Sequence, residues 1–280
     1  MQTAKEWLTE SICQLSHSSS TPQLDAEIIL RNICITDHDS IWFPEQIQLD
    51  EQQINRLGSL LRRRIQGEPI AYLVGEKEFW SLTLKVTKDT LIPRPETELL
   101  VECAIERIGI EDSVHLLDLG TGSGAIALAL AVERPSAQVT ATDLCEKALE
   151  VARQNAKAHD VKNVIFRLGH WLSAVPQKLY ALIACNPPYI APDDPDLDRL
   201  HTKFEPQLAL ISENNGMSAL QHVISAAPRF LVPNGWLILE HGHQQKLAVK
   251  HLLCEARFDS IVHYDDISGH PRVTVGRMTH

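Results

Sequence analysis

Apolar residues in the first 75 positions recur at helical spacing. Ala4, Trp7, Leu8, Ile12 and Leu15 share one face of a 3.6-residue period, and Ile54, Leu57, Leu61 and Ile65 share another. Punctuation marks the ends of these runs. Pro22 after Thr21 suits a first helical position, Asp50 is placed to cap the helix that follows it, and Gly67 stops that helix. The pattern predicts a small helical module. Its basic triplet, Arg62-Arg63-Arg64, reads as a solvated helix face with some ion pairing rather than a binding patch.

The period then shortens to two. Leu82, Leu84 and Val86 alternate with Thr83 and Lys85, and the turn Ile92-Pro93-Arg94-Pro95 follows, so this stretch reads as a connector. Beyond it, β-branched runs at 114–119, 137–143, 164–168 and 179–185 alternate with helical stretches after Gly124 and over 145–156. A helix over 218–230, a strand over 236–240, a helix from Gln245 and two closing strands at 261–264 and 273–276 complete the chain. The two closing strands are near enough to pair antiparallel. Alternating strands and helices imply right-handed crossovers and a mostly parallel, doubly wound α/β sheet covered on both faces.

Composition narrows the function. At 44% hydrophobic and 22% charged, the 280 residues fall in the globular range, and a chain of that length forms one large domain or two unequal ones. The net charge is −10, with 10 acids against 6 bases in residues 1–75 and 26 against 20 in the rest. Neither part offers the basic stripe that grips phosphates, which argues against direct nucleic-acid binding. The six cysteines form no CxxC pair and lie mostly in apolar runs, so they read as small core residues in a reducing compartment, with no disulfide framework and no metal site. The longest apolar run, 125–132, is far too short to span a membrane, and the N-terminus lacks a basic region followed by an apolar one. A cytoplasmic protein is expected.

Two constellations carry chemistry. Asp118-Leu119-Gly120-Thr121-Gly122-Ser123-Gly124 follows the first predicted strand of the sheet and opens a helix, where glycines allow a sharp bend and close approach of a ligand to the main chain. Asp143, at the end of the next strand, is placed to accept both hydroxyls of a ribose. Read as Gly120-x-Gly122-x-x-Ala125, the turn fits a dinucleotide pyrophosphate; read as Gly120-x-Gly122-x-Gly124 after an acid, it resembles the S-adenosyl-L-methionine (AdoMet) loop of class I methyltransferases. An acid such as Asp118 nearby favours a sulfonium over a phosphate bridge.

The second is Asn186-Pro187-Pro188-Tyr189, at the C-terminal end of the fourth predicted strand of the sheet, where ligands sit in open α/β sheets. Two prolines fix φ, remove two donors and hold Asn186 extended. The Asn186 side-chain oxygen and a backbone carbonyl can then point at one place as acceptors, with the Tyr189 ring alongside for stacking. Two acceptors and a ring suit a planar NH2 group.

Asp/Asn-Pro-Pro-Tyr in this position resembles the amino-methyltransferases. The wider text (Gly67-Glu-Pro-Ile-Ala-Tyr, Glu78-Phe-Trp-Ser-Leu, Leu91-Ile-Pro-Arg-Pro-Glu-Thr-Glu, the glycine turn, Phe204-Glu-Pro and Leu239-Glu-His-Gly) resembles the HemK/PrmC family over essentially the whole chain. The resemblance implies an N-terminal helical bundle over 1–75 that docks substrate, a β-hairpin linker over 76–95, and a class I AdoMet-dependent, Rossmann-like methyltransferase domain over 96–280. It implies an enzyme that methylates N5 of the glutamine in the Gly-Gly-Gln motif of class 1 peptide chain release factors, releasing S-adenosyl-L-homocysteine. A ribosomal-protein glutamine is the nearest alternative substrate, and a nucleic-acid base a more distant one.

Residue by residue, the resemblance assigns the cofactor loop to Gly120, Thr121, Gly122, Ser123 and Gly124, the ribose carboxylate to Asp143 and an adenine-side aromatic to Trp171. It assigns glutamine binding to Asn186, Pro187, Pro188 and Tyr189; on this reading, hydrogen bonds from the substrate NH2 to the Asn186 side chain and the Pro187 carbonyl hold its nitrogen in line with the methyl group. One position departs from the family, which shows Asp immediately before that tryptophan where this chain has His170. Its imidazole either accepts from the adenine amino group or faces solvent. The helical module and the acidic loop over 191–206, with Asp193, Asp194, Asp196 and Asp198, are the docking candidates, the loop being equally well read as simply solvated. A monomer without a metal is expected.

Overall fold

The computed structural model describes residues 2–34, 44–176, 178–198 and 202–279. They divide into two compact units, one drawn from 1–76 and 199–204 and the other from 77–198 and 205–280. Of the acidic loop, the side chains of Asp196 and Asp198 and residues 199–201 lie outside the described residues.

The first unit is helical. It contains α1 (Ala4–Leu15), α2 (Pro22–Cys34), α3 (Glu51–Ile65) and the short α4 (Ile70–Val74), with a two-residue antiparallel pair of β1 (Gln2–Thr3) and β2 (Gln48–Leu49). Thr3 and Asp50 close capping boxes with Glu6 and Gln53, so each side chain satisfies an orphan backbone N–H that the other end of the box returns. Ala4, Trp7, Leu15, Ala26, Ile29, Leu57 and Leu61 meet in one core. Within the basic triplet, Arg64 departs from the expected solvated face. It is buried, and its Nε donates to Asp25 at 2.7 Å, with Ser19 and Thr21 hydroxyls also donating to that carboxylate. Arg63 does pair at the surface, with Glu68.

The second unit begins as a hairpin of β3 (Glu76–Phe79) and β4 (Leu82–Lys85), followed by α5 (Glu98–Ile105). A seven-stranded sheet then comprises β5 (His115–Leu119), β6 (Gln138–Asp143), β7 (Val164–Leu168), β8 (Tyr180–Cys185), β9 (Leu231–Glu240), β10 (Phe258–Asp265) and β11 (Pro271–Met278). Its order is β10-β11-β9-β8-β5-β6-β7, parallel from β9 to β7, with β11 inserted antiparallel to both neighbours. Helices α6 (Ala125–Glu133), α7 (Glu146–Ala158), α8 (Ser218–Ala226) and α9 (Lys246–Glu255) connect the strands.

Alternation along each strand sorts side chains to two faces. Leu116, Leu182, Ala184 and Ile238 join a core with α5 and α6. Leu117, Ile183, Leu237 and Leu239 join another with α8 and α9. The hairpin is tied to α7 by Gln154, which accepts from Lys85 Nζ at 2.8 Å, and above all by Asn155. Asn155 accepts from the Lys85 N–H at 2.8 Å and donates to the Lys85 carbonyl at 3.0 Å and the Ser123 carbonyl at 2.8 Å.

Three features escape the periodicity. Helix α5 spans only eight residues and is buried around much of its circumference, through Leu100, Val101, Cys103 and Ala104, so it carries little amphipathic signal. Strand β9 starts five residues before the expected 236 because Pro233-Asn234-Gly235, which reads as a turn, is absorbed as an irregularity opposite Tyr180 and Leu182, with Asn234 at φ 67°. Among the cysteines only Cys103 and Cys185 are buried, while Cys13 and Cys254 are exposed: apolar neighbours in sequence do not place a residue on the inner face.

Candidate active site

The carboxyl ends of β5, β6 and β8 converge where strand order reverses around β5, the crevice position of open α/β sheets. A cavity of about 400 Å³ opens there, within the range of small-molecule and cofactor sites.

The glycine turn forms one wall. Gly120, Gly122 and Gly124 have φ of 75°, 56° and 90°, a region that side-chain-bearing residues avoid. The N–H groups of Gly120 and Thr121 both donate to the Thr142 carbonyl, at 2.9 and 2.8 Å, tying the turn to β6. A Cβ on Gly122 would meet nothing within 4 Å, so its open side faces free space, whereas one on Gly124 would come 3.2 Å from Ala152 of α7. Gly124 therefore serves helix packing and Gly122 access.

Asp143 lines the cavity beside Leu144 and Cys145. Its Oδ2 accepts from the Gly122 N–H and its Oδ1 from the Cys145 N–H, both at 2.8 Å, which leaves each oxygen a further lone pair for a ligand hydroxyl. Burial pushes this carboxyl up, while N–H groups of Cys145, Gly122 and Leu144 hold it back. Trp171, at φ 47°, packs over Gly120, its ring 3.3 Å from where a Cβ would stand. His170 is exposed at the cavity wall, edge-on to Trp171 (5.9 Å between centroids) and to His222 of α8 (5.3 Å).

Asn186 and Pro188 line the cavity; Pro187 and Tyr189 do not. The Asn186 amide Nδ2 donates to the Thr97 hydroxyl at 3.2 Å, and that hydroxyl donates to Glu240 Oε2 at 2.7 Å. The Tyr189 hydroxyl donates to Glu240 Oε1 at 3.0 Å. The phenol is thus anchored at its polar end rather than presented to the cavity, and burial raises its pKa above the usual value. Thr121, Ser123 and Gly124 belong to the turn without lining the cavity, and the first two are buried.

Asp118 is fully buried rather than aimed at the cavity. Neither oxygen has a partner in normal hydrogen-bond geometry; the Thr121 hydroxyl and Ala127 N–H lie nearby and offset burial only in part, leaving the carboxyl raised to about 7. Enclosed in the core and only partly ionised near neutral pH, it does not present a full charge to the cavity.

Sequence reasoning missed much of the other wall. Asp89, Thr90 and Leu91 line the cavity, as do Pro206 and Ile211. These two segments are joined by the fully buried carboxylate of Glu205, which takes the Ile92 N–H at 3.1 Å and pairs with Arg94. The motifs Ile92-Pro-Arg and Phe204-Glu-Pro stand 111 residues apart in sequence, so no local pattern couples them.

The chain matches two family descriptions, "PrmC N-terminal domain" over residues 6–75 and "methyltransferase domain" over residues 110–264. A release factor glutamine methyltransferase from Coxiella burnetii is 44% identical over 264 residues, covering 94% of this chain and 95% of that protein. One from Escherichia coli is 43% identical over 273 residues, covering 98% of each. A solved methyltransferase from Pyrococcus furiosus, 16% identical, superposes with a TM-score of 0.54 over 82% of this chain and 100% of that one, a likeness of fold. With both parts matched and identity at this level over nearly the full length, the chain belongs to the release factor glutamine methyltransferase family.

Proposed function

We propose that this protein methylates the side-chain amide nitrogen of the glutamine in the Gly-Gly-Gln motif of class 1 peptide chain release factors, with AdoMet as methyl donor. The observation that carries the reading is the convergence of an Asn186 side chain, its nitrogen already engaged by Thr97, with the Asp143 carboxylate and the glycine turn on one cavity.

The residues present fit AdoMet. Asp143 holds spare lone pairs for ribose hydroxyls, Gly122 leaves open space for close approach, and Trp171 and His170 supply a ring-bearing wall for a planar base. AdoMet supplies an electrophilic methyl group on a sulfonium. The chain's own task is to bring forward a poor nucleophile, since an amide nitrogen shares its lone pair with the carbonyl. Asn186 Oδ1 accepts from the substrate NH2 at the cavity wall, and the backbone carbonyl of Pro187 behind it is the second acceptor once the side chain enters, so that the nitrogen is held in line with the methyl. Positioning of this kind lowers a barrier by up to about 7–11 kcal/mol. The same acceptors favour the partial positive charge that grows on nitrogen. Thr121, Ser123 and Gly124 shape the turn from behind, and Pro188 stiffens the ledge. Tyr189 braces the ledge through Glu240. The N-terminal helical unit docks the release factor, and the protein acts as a monomer in the cytoplasm.

The test offers tritiated AdoMet with release factor, ribosomal protein and nucleic acid in parallel, followed by mass mapping of the labelled residue. Label on the Gly-Gly-Gln glutamine is expected. Label on a ribosomal protein or a base, with none on the release factor, refutes the reading.

A further inference from the structure

An asparagine side chain can present either its oxygen or its NH2 to a ligand, and only the oxygen accepts from a substrate amide. What decides between them lies behind Asn186, in residues that do not line the cavity.

Glu240 is 1% exposed, and its two oxygens take one hydroxyl each, from Thr97 at 2.7 Å and from Tyr189 at 3.0 Å. Burial raises its pKa, opposed by the two hydroxyls and the neighbouring Arg272, and in this arrangement each oxygen meets its hydroxyl as an acceptor. The Thr97 hydroxyl has a single proton, and Glu240 takes it. Toward Asn186, 3.2 Å away, the Thr97 oxygen therefore shows only lone pairs, and only an N–H can meet it. The opposite orientation would set two acceptors face to face inside a region where Thr97 is 4% exposed.

We infer that Thr97, oriented by the buried Glu240, is a positioning residue that locks the Asn186 amide with its oxygen toward the cavity, and thereby selects a substrate nitrogen that bears protons. The inference rests on the reading of Asn186 as the substrate's ligand. It assigns a purpose to the Thr of Pro95-Glu96-Thr97 and to the Glu of Leu239-Glu240-His241, which stand 143 residues apart.

The test compares the intact protein with Thr97→Val, which keeps the shape and removes the oxygen, and Thr97→Ser, which restores it. Two readouts are taken: protection of the Asn186 side-chain amide protons from solvent exchange by NMR, and the single-turnover methyl transfer rate beside the calorimetric AdoMet affinity. Thr97→Val is expected to lose the protection and about 10- to 100-fold in rate, the loss of one buried orienting hydrogen bond, with AdoMet affinity unchanged. Thr97→Ser recovers both. If the valine variant does not fold, Thr97→Ala removes the same oxygen without adding a methyl group. Retained protection, a rate within about twofold of the parent, or failure of serine to rescue overturns the inference. A parent protein with a protected Asn186 amide that transfers no methyl group to any glutamine upholds the locked geometry and refutes the proposed function instead.

Discussion

Asn155 joins three parts of the second unit, and removing its carboxamide has a cost that follows from its contacts. The residue is 2% exposed and makes three hydrogen bonds, two to the Lys85 backbone and one to the Ser123 carbonyl. Asn155→Ala strands a buried N–H and removes a donor from two carbonyls. At about 1 kcal/mol per bond, the loss is about 3 kcal/mol. For a domain of roughly 200 residues that corresponds to a fall in Tm of about 6–12 °C, measured by scanning calorimetry. Because the Ser123 carbonyl belongs to the glycine turn, AdoMet affinity should weaken severalfold in a calorimetric titration. Asn155→Asp sharpens the test at constant volume. One oxygen still accepts from Lys85 N–H, but the other confronts two carbonyls, so at pH 7 this variant should be at least as unstable as the alanine and should recover as the carboxyl is protonated. A fall in Tm below about 2 °C for Asn155→Ala, or an aspartate variant more stable than the alanine at pH 7, would refute the reasoning.

The buried Arg64–Asp25 pair predicts that Arg64→Met destabilises the N-terminal unit by about 3–5 kcal/mol through the unpaired carboxylate left behind, while Arg62→Ala, on an exposed part of the same helix, changes denaturant midpoints little. Asn186→Ala should abolish most methyl transfer and leave AdoMet titrations nearly unchanged. Tyr189→Phe should cost activity and stability, because it strips the 3.0 Å hydrogen bond from a buried Glu240; wild-type behaviour would show that the ring alone matters. Two buried groups oppose each other in acid. Burial lowers His241 to about 4, so its contribution to stability is full above the unfolded value near 6.5 and is lost as pH falls toward 4. Burial raises Asp118 to about 7, so its contribution is full below the unfolded value of 3.8 and is lost as pH rises toward 7. Asp118→Asn should therefore leave a steeper rise of Tm between pH 4 and 6.5 than the parent shows, and an identical slope would count against a neutral buried acid.

Strand β7 at Val164–Leu168 and the helix start at Asp50 could be read directly, because period, punctuation and cap chemistry are local in sequence. The same holds for the glycine turn and for the Asn186 ledge, where backbone geometry leaves few residue types to choose from. Short α5 could not be read, since burial around much of a helix erases its period. Nor could the insertion of β11 between β9 and β10, which depends on edges that exist only in the assembled sheet.

By itself, then, the sequence determined the order of strands and helices along the chain and the residue types that bend or stiffen the backbone at the cavity. Tertiary structure alone decided which polar groups lose water and which partners replace it. Asp118 was buried with neither oxygen hydrogen-bonded, Tyr189 turned its hydroxyl inward to Glu240, and Thr97 came to face Asn186 from 89 residues away. Hydrogen bonding inside a protein is set by who is buried beside whom, and that relation has no period along a chain.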